Sequence, residues 1–305
     1  MAIGVRASYL FGIVVCLCSV WISGLDERPR KDSIKWKMGS YKDKKEIPKG
    51  IDYHYLKNTD FNEQAIANKI IFDTNKTIDL NIKRRNSNGS GTAFKVRSNV
   101  WITARHVIDG CNSLSIPNVQ IERVYIPPSS DIALILSSES PIEEFYLNRK
   151  LFQDGKYYKR NVSEIGEYGY SIGFPRGEPG QSLLKFVGYV QMRQTGSYYL
   201  KEPVKMWIEI KRQPESLDHM GGISGGPILN GVGDVVGVHV ANSVRRGRAY
   251  SVDEFAVAGL MMASLRHKIL VRDSHYNSSI SEKNWSELAA AFRENGQISK
   301  ILCSV

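Results

Sequence analysis

The chain has 305 residues, 42% of them hydrophobic and 24% charged, which excludes a disordered or low-complexity protein and leaves room for one large domain or two small ones. The formal net charge is +10, yet the basic residues are spread along the chain, so no nucleic-acid partner is expected. The densest cluster, Lys42, Lys44, Lys45 and Lys49, is interrupted by Asp43 and Glu46 and reads as a solvated face.

In chain order, the first element is an apolar segment from Tyr9 to Leu25, preceded by Arg6. It is slightly long for a signal-peptide core and slightly short for a comfortable membrane span. Residues 1–25 therefore read as a cleaved signal peptide, with an uncleaved anchor and a non-targeting segment as the other readings. Either of the first two puts the folded part outside the cytoplasm, secreted or periplasmic, with membrane attachment through this segment in the second case. Arg28, Arg30 and Lys31 follow closely and argue against simple export. Residues 26–64 are basic, poor in aliphatic side chains, and read as an extension or pro-region.

From about residue 65 the character changes. Runs rich in Val, Ile, Tyr and Phe predict strands at Thr92–Val96, Val100–Thr103, Val119–Ile126, Ile132–Leu136, Leu184–Gln191, Val204–Ile210 and Val235–Val240. Gly, Pro, Asn and Ser separate them, which favours an all-β sandwich or barrel pair over alternating βαβ units. Two helices are expected late, over Met261–Leu270 and over Ser281–Arg293. In the second, Trp285, Leu288, Ala289 and Phe292 recur at helical spacing. Gly296 suits its end. Cys111 and Cys303 show no metal-ligand spacing, and no metal or cofactor is expected. They are either a disulfide or two buried thiols; sequence separation does not decide.

Three blocks carry the chemistry. In the first, Trp101-Ile102-Thr103-Ala104-Arg105-His106-Val107 follows the strand opened by Ser90-Gly91-Thr92-Ala93-Phe94, and it places a histidine at the end of a β-rich run. A barrel rim there suits a general base. In the second, Asp131 heads the apolar run Ile132-Ala133-Leu134-Ile135-Leu136, where a buried acid needs a partner. Asp109 competes with it but sits only three residues from His106. In the third, Gly221-Gly222-Ile223-Ser224-Gly225-Gly226-Pro227 surrounds a serine with residues that permit tight turns. A serine hydroxyl needs a base and a preorganised oxyanion site to act as a nucleophile. Taken alone, each block also fits a plain structural role.

Together the blocks resemble the trypsin-like serine peptidases, closest to the compact bacterial branch that includes the high-temperature-requirement proteases and the glutamyl endopeptidases. Gly231–Val240 resembles the strand after the nucleophile, Glu254-Phe255-Ala256-Val257 the closing strand, and Ser171-Ile172-Gly173-Phe174-Pro175 the start of the second barrel. The resemblance implies an all-β fold of two packed six-stranded antiparallel barrels, residues 65–146 and 147–266, with a helical tail over 267–305. It further implies a serine endopeptidase acting on polypeptides through an acyl-enzyme. Ser224 would be the nucleophile, His106 the general base and acid, and Asp131 the orienting carboxylate. Gly222 and Ser224 would supply the oxyanion amides.

Ile223 stands where trypsin carries the aspartate of its zymogen switch, so that switch is not expected here. Two specificity readings conflict. Asp218, six residues before Ser224, matches the aspartate that selects Lys or Arg. His239 matches the histidine that binds acidic side chains in glutamyl endopeptidases. A small or apolar preference is the third option. Against the enzyme stands a catalytically silent relative that binds peptides or partners.

Overall fold

Each of the seven predicted runs forms a strand, because alternating or continuous apolar side chains leave one or both faces of a pleated chain to be buried. The computed structural model describes residues 52–57, 76–82, 86–139, 141–147, 152–153, 156–157, 163–265 and 279–305. The chain divides into two compact units, Met1–Lys44 and Lys45–Val305, and all described residues belong to the second. The apolar segment Tyr9–Leu25 and the Lys42–Lys49 cluster lie outside the described residues.

The first sheet holds β1 (Asp52–Tyr55), β3 (Gly89–Arg97), β4 (Val100–Ala104), β5 (Ser113–Ser115), β6 (Ile121–Ile126), β7 (Ile132–Ser137) and the C-terminal β16 (Ile298–Ser304), in the order β1-β6-β7-β4-β3-β16-β5. The second holds β2 (Thr77–Ile82), β10 (Tyr168–Gly173), β11 (Gly180–Gly196), β12 (Leu200–Gln213), β13 (Pro227–Leu229), β14 (Val235–Ser243) and β15 (Arg248–Asp253). Its order is β10-β13-β14-β15-β12-β11-β2, and a further β10–β11 pairing closes six of these strands into a barrel. The fold is the expected pair of antiparallel barrels in the chymotrypsin-like manner. The hairpin of β8 (Phe152–Gln153) and β9 (Lys156–Tyr157) stands apart.

Each sheet gains one parallel strand from the N-terminal side: β1 on β6 and β2 on β11. The second pairing crosses the expected boundary, since residues 77–82 fall within the expected first barrel, 65–146, yet join the second sheet. Ladder bonds from Gln191↔Thr77 to Gly196↔Ile82 and the Arg193–Asp79 ion pair, Nε to Oδ1 2.5 Å, hold it there.

The tail also differs from a purely helical one. The expected helix is present as α3 (Trp285–Glu294), after a turn in which Asn284 Oδ1 accepts from Ser281 N–H and O–H. Trp285 and Phe292 are buried, and Phe292 meets Phe145 edge-on at 5.0 Å between ring centroids. The chain then enters the first sheet as β16, antiparallel to β3 and β5. Without it, β3 would expose one edge of a nine-residue, largely buried strand. Of the earlier expected helix, α2 (Glu254–Leu265) covers the front half, and 266–270 lie outside the described residues. Glu254–Val257 is helix and not the closing strand that the resemblance suggested. Strand β15 closes the sheet, and Asp253 Oδ1 then accepts the Phe255 N–H as a capping group. A buried Lys205 on β12 pairs with Glu254 and donates to Val236 O at 2.8 Å and Ser163 Oγ at 3.0 Å, tying α2 to the barrel. Among the described residues, no helix is long and apolar enough to cross a membrane.

Cys111 and Cys303 form a disulfide that joins β16 to the segment after β4, across a sequence separation of 192. Closing so long a loop restricts the unfolded chain strongly, so Cys303→Ser is expected to lower stability by about 2–5 kcal/mol. Thermal unfolding of the oxidised protein beside the variant measures this. Equal melting temperatures would show that the loop is already restricted without the bond.

Candidate active site

Strand register brings His106 and Asp131 together. The pairing of β4 with β7 matches Ala104 to Ile132, so the residues just beyond, 105 and 131, face one another. Arg105 N–H donates to Asp131 O at 3.1 Å as the chain turns into the short helix α1 (Arg105–Ile108). That turn presents His106. Its Nδ1 lies 2.7 Å from Asp131 Oδ2, and its backbone N–H donates to Oδ1 at 3.0 Å. Asp131 is fully buried, while the His106 side chain keeps 13% of its surface. A carboxylate can only accept, so this contact assigns the proton to Nδ1 and leaves Nε2 free to act as a base. Asp109, the competing acid, turns instead toward Arg105, with Oδ2 3.9 Å from Nε.

The serine loop is pressed against the same corner. Thr92 N–H donates to Ser224 O at 2.9 Å, and Gly225 N–H donates to His239 O at 2.8 Å. Gly225 has φ +89°, and a Cβ there would lie 2.1 Å from Thr92 O and 2.8 Å from Ala104 N. Only glycine allows this approach, which sets Ser224 beside the end of the strand that delivers His106. Thr92 and Thr103 complete the joint: Thr103 O–H donates to Thr92 O at 2.7 Å, and Thr92 O–H donates to Gly222 O at 2.9 Å. The Ser224 hydroxyl points to Val240 O at 3.5 Å, and among the described residues no hydrogen bond joins it to His106. Nucleophile and base commonly tighten only around a substrate.

Two carbonyls of the loop are held by backbone donors. Gly221 O accepts from Arg176 N–H at 2.6 Å, and Ile223 O accepts from Gly226 N–H at 2.9 Å. A trans peptide directs its N–H opposite to its C=O, so the N–H groups of Gly222 and Ser224 point away from those donors. Gly222 has φ +101°, and a Cβ there would sit 2.7 Å from Phe174 O. The side chain of Ile223 is fully buried, so packing occupies the position of the zymogen-switch carboxylate.

The two charge-based specificity candidates, Asp218 and His239, lie in different surroundings. Asp218 is 68% exposed and pairs with Arg176, Nη1 to Oδ1 3.2 Å. His239 on β14 is fully buried, with Nδ1 2.8 Å from Ser171 Oγ. Burial holds its pKa down, at about 4. That burial favours the neutral ring at neutral pH.

The depressed value has a consequence for stability. The unfolded histidine binds its proton below about 6.5, whereas the folded one binds it only near 4. This contribution is complete above pH 6.5 and is lost as the pH falls toward 4, by on the order of 3 kcal/mol. His239→Asn should remove that part of the acid destabilisation, seen in denaturant midpoints between pH 7 and pH 4. Parallel profiles for the two proteins would contradict it.

Two further side chains touch Asp131 that the sequence did not single out. Tyr198 O–H donates to Oδ1 at 2.8 Å, and Glu202 Oε1 accepts the Asp131 N–H at 2.7 Å. Both come from the β11–β12 hairpin of the other barrel, some 70 residues on (|i−j| of 67 and 71), and no local pattern marks them. Among the described residues, no group of three or more His, Cys, Asp or Glu is placed to hold a metal ion.

No family profile matches the sequence, and no curated protein matches it. Solved structures of similar fold include the active form of the Rv3671c protease from M. tuberculosis, at 17% identity and TM-score 0.43, covering 60% of this chain and 74% of that one. The HtrA-type protease AlgW with a decapeptide is similar at 16% identity and TM-score 0.41, covering 58% and 52%. A serine endoprotease from Yersinia pestis is similar at 15% identity and TM-score 0.38, covering 58% and 57%.

Proposed function

We propose that this chain is a serine endopeptidase working by two-step acyl transfer. The observation that carries it is the convergence on one corner of a buried Asp131–His106 pair and a serine loop whose Gly222 and Ser224 N–H groups point away from its backbone donors. In this reading Ser224 Oγ attacks a peptide carbonyl while His106 Nε2 takes its proton. The amides of Gly222 and Ser224 hold the oxyanion, and their backbone dipoles need no reorganisation as charge develops. His106 then returns the proton to the leaving amine. Water repeats the sequence on the acyl-enzyme. Asp131 fixes the tautomer throughout.

With Asp218 exposed and ion-paired and His239 neutral, a neutral side chain, small or apolar, is the preference that fits the site. A peptide-library cleavage profile measures this; strong selection of Lys, Arg or Glu would overturn it. The Cys111–Cys303 disulfide supports a working compartment outside the cytoplasm. A fluorophosphonate probe separates this reading from a silent peptide-binding relative. An active serine labels and Ser224→Ala does not, whereas a binding protein labels in neither form.

A further inference from the structure

The β11–β12 hairpin leaves the second barrel and ends on the first. Its tip, Thr195 to Tyr199, carries Tyr198, which is 9% exposed and whose hydroxyl meets Asp131 Oδ1. The Arg105 guanidinium covers the Tyr198 ring at 3.8 Å from its centroid, and Arg105 itself donates to Pro127 O at 3.2 Å. Glu202, two strand positions beyond Leu200, accepts the Asp131 N–H and the Ser130 hydroxyl, each at 2.7 Å. Asp131 thus receives one backbone and one side-chain contact from the opposite barrel.

The hairpin is in turn clasped by the N-terminal strand β2. Ser197 N–H donates to Ile82 O at 2.9 Å, beside the Gly196↔Ile82 register pair. Gly196 has φ +111°, and a Cβ there would fall 2.2 Å from Ile82 O, so the clasp closes only on glycine.

We infer that Tyr198 is a positioning residue for the catalytic pair: it fixes the Asp131 carboxylate from the second barrel, with β2 holding the hairpin that delivers it. This rests on the reading of His106 and Asp131 as base and orienting acid. A carboxylate with free rotation about its last bond would trade its two oxygens at His106. Three donors on two oxygens leave it one orientation: His106 N–H and Tyr198 O–H on Oδ1, and the imidazole N–H on Oδ2. Burial and the neighbouring Asp131 charge hold the phenol far above its ordinary range, so it remains a donor at any working pH.

The test is Tyr198→Phe in the full chain, which keeps the ring under Arg105 and removes only the hydroxyl. The rate of fluorophosphonate labelling should fall about tenfold, the worth of one hydrogen bond to a charged group. The low-field proton resonance of the His106–Asp131 hydrogen bond should broaden and move upfield as the carboxylate gains freedom. Gly196→Ala, which touches neither residue, should shift that resonance in the same direction. A resonance of unchanged position and width in Tyr198→Phe overturns the inference, whether or not labelling falls. So does a sharper, further downfield resonance with faster labelling. The resonance reports on the pair itself, so it decides this point even if Ser224→Ala should still label and the nucleophile assignment fall.

Discussion

Ser224→Ala is expected to lower peptide turnover by about 10⁶-fold, leaving a residual rate from binding and the oxyanion amides. In the proposed mechanism the loss is so large because nucleophile and base act as one unit. Without Oγ, His106 has no proton to take, and the acyl-enzyme does not form. Stability should stay within about 0.5 kcal/mol of the parent, since a partly exposed hydroxyl with one long contact is removed. That contact is the 3.5 Å approach to Val240 O. Stopped turnover with an unchanged melting temperature is therefore the expected pair of results. Turnover within tenfold of the parent would remove Ser224 from the mechanism.

Asp131→Asn is expected to lower kcat by about 10⁴-fold. Two donors, His106 N–H and Tyr198 O–H, meet Oδ1, so the carbonyl oxygen of asparagine takes that place. The amide NH₂ then occupies the position of Oδ2, facing His106 Nδ1. It donates where the carboxylate accepted. The imidazole answers by moving its proton to Nε2, the nitrogen that must receive the serine proton. Geometry survives and the tautomer is wrong. The two bonds at Oδ1 are kept and the one to Nδ1 is reversed, so the variant should fold, and circular dichroism with a kcat measurement checks both halves. A variant retaining more than a tenth of the parent kcat would mean that Asp131 does not set the tautomer.

The seven strands legible in the sequence are those whose apolar runs are buried by their own neighbours. β4 and β7 show every residue or nearly every residue buried, which is why Val100–Thr103 and Ile132–Leu136 were legible almost to the residue. β11 extends beyond its predicted end through Met192, Arg193, Gln194 and Thr195, a largely polar stretch that its partners β12 and β2 hold in a ladder. β2 itself alternates exposed and half-buried residues, so its strand nature comes from the edge it meets. β16 follows directly on a helix, and its slot between β3 and β5 exists only once the first sheet has formed. Glu254–Val257 misled because so short a run, Glu-Phe-Ala-Val, fits helix and strand equally; the carboxylate of Asp253 settles it by capping a helix.

The site divides in the same way. By itself the sequence marked His106, Asp131 and Ser224 as the three groups of the proposed triad, together with the glycines that let the serine loop turn. It could do so because each group sits in a short local pattern: a residue type demanded by its own backbone or by the strand it ends. Tertiary structure alone decided what those groups touch. The β4–β7 register aligned the acid with the base, and the Gly225 approach to Thr92 set the serine at the same corner. Burial made His239 neutral, and exposure gave Asp218 to Arg176. The hairpin from the other barrel brought Tyr198 and Glu202 to Asp131. Contacts between residues so far apart depend on strand register and loop closure over the whole chain, and no local pattern of residues encodes them.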